Sequence, residues 1–90
     1  MKIGFIGLGS MAKAIIGGML DNQIVKPEDI IGTAKTKETM EAVRKAYGIQ
    51  VRDTNEAVAE ESEVLFLAVK PQCIEEVIHE IHDCLLHDPL

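Results

Sequence analysis

The residues of this sequence with the clearest chemical potential are the glycines of Gly7-Leu8-Gly9-Ser10-Met11-Ala12. They follow an apolar, strand-like run and precede a segment with helical periodicity, as in the G-x-G-x-x-[GA] dinucleotide fingerprint. Gly7 allows a tight turn, the missing Cβ of Gly9 lets a pyrophosphate reach the backbone, and Ala12 lets the helix pack close to the strand. The start of that helix would present unpaired N–H groups and a positive dipole end to phosphates. The alternative is a turn that binds no phosphate and uses its glycines for packing only.

Four strand-like segments alternate with helical segments along the chain. The predicted strands cover residues 2–6, 30–33, 49–51 and 64–69, and the predicted helices cover residues 11–20, 37–47, 55–61 and 73–86. Asn55 is expected to cap the start of the third helix and Gly48 the end of the second. This alternation requires right-handed crossovers. It predicts an α/β fold, a Rossmann-like doubly wound parallel sheet of about four strands in the order 3-2-1-4.

The fourth predicted strand is apolar throughout, so we expect both of its faces to be covered. The helix after it should turn its apolar residues inward, namely Ile74, Val77, Ile78, Ile81 and Leu85. A ligand crevice is expected beyond the carboxyl ends of the first and fourth strands, where the winding of the sheet reverses. The loops at residues 7–11 and 69–72 should face each other across it. Lys70 then either contacts the ligand or is a solvated charge at a strand end.

The end of the second strand bears on the choice of dinucleotide. It reads Thr33-Ala34-Lys35-Thr36-Lys37, without the carboxylate that usually binds the ribose 2′-hydroxyl of NAD. Lys35 and the hydroxyls of Thr33 and Thr36 could bind a 2′-phosphate instead. We therefore expect NADP(H) in preference to NAD(H). The alternative is that Lys35 and Lys37 are solvated charges at the start of the next helix.

Composition excludes several other functions. The 90 residues allow one domain, and 9 basic against 15 acidic side chains give a net charge of −6, which argues against nucleic-acid binding. No apolar run approaches the roughly 20 residues that span a bilayer, and no signal-peptide segment precedes the first strand. We expect no membrane contact and a cytoplasmic location. The sequence predicts no metal site, because His79, His82, Cys84 and His87 lack the usual paired spacing.

Three segments of the chain resemble the family of pyrroline-5-carboxylate reductases. They are the opening Met-Lys-Ile-Gly-Phe-Ile-Gly-Leu-Gly-Ser-Met-Ala-Lys-Ala-Ile-Ile-Gly-Gly, the step Thr54-Asn55-Glu56 and the segment Leu67-Ala68-Val69-Lys70-Pro71-Gln72. The last is the most specific, because many dehydrogenases share the glycine fingerprint. The segments match the first part of the family's chain in order and spacing.

The resemblance implies reduction of the imine 1-pyrroline-5-carboxylate to proline, with hydride from NADPH or NADH. Residues 7–12 would hold the pyrophosphate, Lys35 and Thr36 would lie near the adenosine 2′ position, Asn55 would touch the adenosine ribose, and residues 68–71 would line the nicotinamide. Together with the residues argued above, the candidate cofactor-binding set is Gly7, Gly9, Ser10, Met11, Ala12, Thr33, Lys35, Thr36, Asn55, Ala68, Val69, Lys70 and Pro71. No catalytic residue and no metal ligand is assigned.

The sequence departs from the family pattern at two places. Ser10 stands where the family often has Asn, and it is expected to keep an oxygen that caps the helix. Ala34-Lys35-Thr36 stands where a Ser-Asn-Arg-like step is common. Loss of the arginine is expected to weaken recognition of a 2′-phosphate without abolishing it.

The family continues beyond this region with further strands and a helical domain that forms the dimer and binds the substrate carboxylate. We therefore expect residues 1–90 to form an N-terminal NAD(P)-binding domain that is incomplete relative to the family, with the substrate domain absent. Alone it should bind dinucleotide weakly and not turn over. The exposed edge of the strand at residues 64–69 predicts pairing with another chain in a homo-oligomer. The alternatives are the nucleotide domain of another NADP-linked dehydrogenase and a non-catalytic dinucleotide-binding module.

Overall fold

The protein folds into one parallel sheet with helices on both faces. The structure, a computed structural model, describes residues 1–86, with side-chain surroundings for residues 1–82. The strands are β1 (Ile3–Ile6), β2 (Ile30–Thr33), β3 (Gln50–Val51) and β4 (Val64–Leu67). The helices are α1 (Ser10–Asp21), α2 (Lys37–Tyr47), α3 (Asn55–Glu61) and α4 (Pro71–Leu86), and a single 3₁₀ turn covers Pro27–Asp29. The order β3-β2-β1-β4, parallel throughout, confirms the predicted fold class and strand order.

Alternation along β1 divides the core between the two faces of the sheet. Ile3 and Phe5 belong to the cluster that includes the buried residues of α1 and α2. Phe5 stacks on Phe66 of the adjacent β4, with ring centroids 4.9 Å apart and an interplanar angle of 11°. Ile6 belongs to the second cluster, with buried residues of α3 and α4. The central strand is therefore covered on both sides, as a parallel sheet requires.

The helix ends follow local side-chain chemistry. Gly48 ends α2 in the left-handed region at φ 74°, which confirms the predicted C-cap. The predicted N-cap of α3 is wrong by one residue. Thr54 has the extended backbone of a cap and its Oγ1 accepts a hydrogen bond from the Ala57 N–H at 3.1 Å, whereas Asn55 is the first helical residue.

The segment around β4 departs most from the sequence prediction. β4 ends at Leu67 rather than at residue 69, and α4 begins at Pro71 rather than at residue 73. Proline suits the first helical position because it has no N–H to lose there and its φ is already helical.

The burial expected around β4 is also partly wrong. β4 lies at the edge of the described sheet and its residues are only half-buried, with Val64 41% exposed, although Phe66 packs against the first cluster and Leu65 and Leu67 against the second. In α4, Val77 and Ile81 are buried as predicted, but Ile78 is 40% exposed. The side chain of Leu85 lies outside the described residues.

Candidate cofactor site

The carboxyl ends of β1, β2 and β4 open into a crevice that contains two adjoining cavities. The glycine-loop cavity, of about 330 Å³, lies between residues 7–9, residues 34–36 and residues 68–70. The wide cavity, of about 510 Å³, lies between the end of β2, residues 53–56 and one face of α4. This is where a doubly wound sheet binds its ligands. The predicted position of the crevice is therefore matched by open space in the structure.

The glycine loop provides both the floor of the crevice and an open backbone surface. Gly7 has φ 99°, its N–H donates to the Thr33 carbonyl at 2.9 Å, and a Cβ there would collide with the carbonyl group of Ala68. A Cβ at Gly9 would instead meet no atom within 4 Å. The space that a pyrophosphate needs above the backbone is thus present at Gly9.

The first turn of α1 is not capped by a side chain. Gly9 occupies the N-cap position with φ −84°, and no side chain hydrogen-bonds there. The expectation that Ser10 supplies a capping oxygen is therefore wrong, because Ser10 is already the first helical residue. Ser10 and Met11 are exposed, Ala12 is buried in the core, and none of the three lines either cavity. The groups of this turn that are available to a phosphate are therefore the backbone N–H groups, which have no carbonyl partner within the helix, and not the three side chains.

The residues after β2 divide between structural and site positions. Thr33 is buried and its hydroxyl donates toward the Met40 sulfur at 4.0 Å, although the residue lines the wide cavity. Thr36 caps α2, its Oγ1 accepting from the Thr39 N–H at 3.2 Å, and it lines the glycine-loop cavity. Lys35 is exposed and lines both cavities. Of the three predicted 2′-phosphate ligands, Lys35 is the one whose side chain is neither buried in the core nor used to cap a helix.

A contact across the crevice joins Lys35 to α4. The Lys35 ammonium nitrogen donates to the Cys73 sulfur at 3.8 Å, between residues 38 positions apart in sequence. Cys73 is half-buried and lines both cavities, as Lys35 does. The pair therefore lies where the two cavities adjoin.

The loop after β4 forms the opposite wall. The Ala68 N–H donates to the Ile6 carbonyl at 2.8 Å, and the Cys73 N–H donates to the Lys70 carbonyl at 2.8 Å. Ala68, Val69 and Lys70 line the glycine-loop cavity, and Val69 also lines the wide cavity. Pro71 lines neither cavity. The structure thus brings three of the four predicted residues of this loop to the site.

Asn55 lies in the wall of the wide cavity, where its Nδ2 donates to the Glu80 carboxylate at 3.0 Å. The loop that precedes Asn55 is anchored by Arg52, whose guanidinium holds Glu61 at 2.7 and 2.8 Å. The Arg52 hydrogen bond lowers the pKa of Glu61 below its ordinary value. Arg52 also donates to the Val51 carbonyl at 2.9 Å, which ties the end of β3 to α3.

Several residues of the wide cavity were not predicted from the sequence, namely Asp53, Cys73, Glu76 and Glu80. Positions 73, 76 and 80 share one face of a helix, and that spacing together with a crevice at its start was the available signal.

Charge is segregated between the two cavities. The glycine-loop cavity is lined by Lys35 and Lys70, and no Asp or Glu is among the described residues that line it. The wide cavity has Lys35 at its edge and four carboxylate residues in its wall, Asp53, Glu56, Glu76 and Glu80. Phosphates are favoured in the first cavity, whereas the acceptor-rich wall of the second favours hydrogen-bond donors such as hydroxyl and amino groups.

Other kinds of site are not supported by the part of the chain that the structure describes. It contains no group of three or more His, Cys, Asp or Glu that could hold a metal ion. His79 and His82 are exposed, and His87 lies outside the described residues. None of the helices between residues 1 and 86 is both long and apolar enough to cross a membrane.

The fold and the crevice define the class of protein as an NAD(P)-binding domain of an oxidoreductase. Residues 2–90 match the family model described as NADP oxidoreductase, coenzyme F420-dependent, and the chain belongs to that family. It is 36% identical to the pyrroline-5-carboxylate reductase of Escherichia coli over 89 aligned residues. The alignment covers 99% of this chain and 33% of that protein. The chain thus spans about a third of the length of the curated relatives it matches.

Solved structures agree with this placement. A pyrroline-5-carboxylate reductase from Coxiella burnetii superimposes with a TM-score of 0.90 at 31% identity, covering 97% of this chain and 32% of that one. The pyrroline carboxylate reductase of Plasmodium falciparum, solved with NADP bound, gives a TM-score of 0.81 at 28% identity over 96% of this chain and 30% of that one. The resemblance inferred from the three sequence segments is confirmed, and this is a pyrroline-5-carboxylate reductase-like NAD(P)-binding domain.

Proposed function

We propose that this chain is the NADP(H)-binding part of an enzyme that reduces 1-pyrroline-5-carboxylate to proline. The observation that carries the proposal is the glycine-loop cavity, in which the open face of Gly9 lies in a lining with two lysines. The relatives named as pyrroline-5-carboxylate reductases support the reaction. Because the chain spans about a third of those relatives, the reaction is proposed for the whole protein and cofactor binding for these residues.

The described residues fit an adenine dinucleotide at two places. Backbone N–H groups at the start of α1 and the open face of Gly9 suit the pyrophosphate. Lys70 and the half-buried Ala68 and Val69 border the same cavity from the side of β4, where we place the nicotinamide ribose. When bound, the reduced nicotinamide supplies the hydride, and the residues here bind and orient it.

Substitution of Gly9 tests the phosphate site directly. In Gly9→Ala the new methyl group enters open space, so the fold tolerates it, but it occupies the place of the pyrophosphate. NADPH affinity measured by calorimetry is expected to fall at least about tenfold, the equivalent of about 1.4 kcal/mol. The matched control is Gly18→Ala in α1, where a Cβ also meets nothing within 4 Å, and its affinity should stay within about twofold of wild type. Equal binding by Gly9→Ala and wild type, or no NADPH binding by wild type, refutes the proposal.

The preference for NADP(H) over NAD(H) rests on Lys35. Its ammonium lies at the crevice with only a thiol as its described partner, and a 2′-phosphate would form a stronger, charge-assisted hydrogen bond. Lys35→Gln should lower NADPH affinity about tenfold and change NADH affinity less than about twofold. Lys37→Gln is the control, since it removes the same charge from an exposed residue that lines neither cavity. Tighter binding of NADH than NADPH by wild type, or equal losses for both cofactors in Lys35→Gln, contradicts the assignment.

We further propose that the outer edge of β4 pairs with another strand in a homo-oligomer. Within the described residues β4 pairs with β1 only, and Val64 is 41% exposed. An unpaired apolar edge favours association. Val64→Lys should reduce the sedimentation coefficient of the assembled protein, and a wild-type monomer at high concentration rules the association out.

A further inference from the structure

A side chain of α4 determines which group Asn55 presents to the wide cavity. The Asn55 Nδ2 donates to the Glu80 Oε2 at 3.0 Å, joining residues 25 positions apart, and both residues line the cavity. An ionised carboxylate accepts hydrogen bonds and donates none, so only the NH₂ group of the carboxamide can face it. The bond to Glu80 therefore fixes the orientation of the amide and leaves Oδ1 as the atom available to a ligand.

The chemistry of the surrounding wall indicates what Oδ1 receives. Asp53 and Glu76 line the same cavity and, like Oδ1, offer hydrogen-bond acceptors. A phosphate also offers only acceptors when it is fully ionised, so it gains nothing from this wall. A sugar hydroxyl can donate, and the 3′-hydroxyl of the adenosine ribose is free in both NAD and NADP.

We propose that Glu80 is a positioning residue that turns the Asn55 carboxamide so that Oδ1 accepts a hydrogen bond from the adenosine 3′-hydroxyl. The inference rests on the proposed function, because it takes the ligand to be an adenine dinucleotide. It separates two tasks within one site: Lys35 distinguishes the 2′ substituent, and the Glu80–Asn55 pair recognises the ribose common to both cofactors. Without Glu80 the carboxamide can rotate and present its NH₂ group to the hydroxyl as readily as its oxygen.

The test combines a change in the ligand with a change in the protein. ADP and 3′-deoxy-ADP are titrated by calorimetry into wild type, Glu80→Ala, Glu80→Gln and Glu75→Ala. In wild type, removal of the 3′-hydroxyl should weaken binding about five- to tenfold, as expected for one hydrogen bond. In Glu80→Ala the ratio between the two ligands should fall below about twofold. Glu80→Gln should give an intermediate ratio, because the Gln carboxamide can donate as well as accept and therefore no longer fixes the orientation of Asn55.

The controls distinguish positioning from charge and from folding. Glu75→Ala removes the same charge from an exposed residue of α4 that does not line the cavity, and should keep the wild-type ratio. Glu80 is itself exposed, so its replacement opens no hole in the core. Should Glu80→Ala nevertheless fail to fold, Asn55→Ala provides the second variant, and it too should lose sensitivity to the 3′-hydroxyl.

Each remaining outcome has a definite meaning. An unchanged ligand ratio in Glu80→Ala overturns the inference and leaves the proposed function standing, as does binding of NADPH by a wild-type protein that does not bind ADP. Failure of wild type to bind NADPH as well as ADP overturns the proposed function itself.

Discussion

Substitution of Gly7 by alanine tests the geometry of the crevice floor. Gly7 has φ 99°, in the region that L side chains rarely adopt. An added Cβ would lie 2.9 Å from the Ala68 carbonyl carbon and nearer still to its oxygen, and 3.0 Å from Val69 Cγ1. The carbonyl belongs to the backbone and cannot rotate away, so the loops must separate or Gly7 must change its conformation.

The expected cost follows from these two effects. A strained non-glycine backbone costs about 1–3 kcal/mol, and forcing a methyl group into packed surroundings costs about 1–3 kcal/mol more. Gly7→Ala should therefore lower the free energy of unfolding by about 2–6 kcal/mol, a large part of the roughly 5–15 kcal/mol typical of a domain. Separation of the loops would also weaken the Gly7 N–H hydrogen bond to the Thr33 carbonyl.

The measurement is urea denaturation of the purified protein followed by far-ultraviolet circular dichroism. Gly18→Ala is the matched control, because Gly18 lies inside α1 and a Cβ there meets nothing within 4 Å. Alanine in a helix interior should stabilise the protein by about 0.5–1 kcal/mol, a change of opposite sign. If Gly7→Ala shifts the midpoint no further than Gly18→Ala does, the close approach of the two loops is not a feature of the folded protein.

Three further predictions concern stability. Thr54→Ala should cost about 1 kcal/mol through loss of the α3 cap, whereas Thr54→Ser should keep most of it in the same denaturation assay. Gly48→Ala, at φ 74°, should cost about 1 kcal/mol by thermal denaturation, and Gly48→Asn should cost less. Glu61→Gln should cost less than about 1 kcal/mol near neutral pH, because its partner Arg52 is partly exposed. Arg52 lowers the pKa of Glu61 in the folded protein, so the ion pair stabilises the fold above the unfolded-state pKa and ceases to do so as the pH falls through the folded-state pKa. The difference in stability between Glu61→Gln and wild type should therefore vanish in acid. A difference that persists at low pH contradicts the role of the ion pair.

The fold was predictable from the sequence because its signals are local. Hydrophobic periodicity, the glycine turn at residues 7–9 and the cap at Gly48 each depend on neighbours along the chain, and the sequence pattern contains them. The N-cap of α3 was misplaced because Thr54 and Asn55 are both good capping residues, and pattern alone does not choose between adjacent candidates. The length of β4 was overestimated because Ala68 and Val69 continue its apolar run, although the strand ends at Leu67 and both residues line the crevice.

The candidate site was predictable only in outline. Topology alone brings the loops after β1, β2 and β4 together, so Gly7, Lys35 and Val69 were expected at one crevice. The contacts of Lys35 with Cys73 and of Asn55 with Glu80 join residues 38 and 25 positions apart. They depend on the angle at which α4 packs across the crevice, and no motif in the sequence encodes that angle.

The contact between Lys35 and Cys73 has a consequence for how quickly a dinucleotide associates. A ligand that extends through both cavities passes the Lys35 side chain, which lies where they adjoin. Exposed side chains change rotamer within picoseconds to nanoseconds, whereas backbone loops rearrange more slowly. Because Gly7 holds the loops after β1 and β4 in backbone contact, we expect the Lys35 side chain rather than these loops to move when the ligand enters. We therefore expect diffusional encounter to limit cofactor capture, so that its rate depends on ionic strength and viscosity rather than on a slow gating motion.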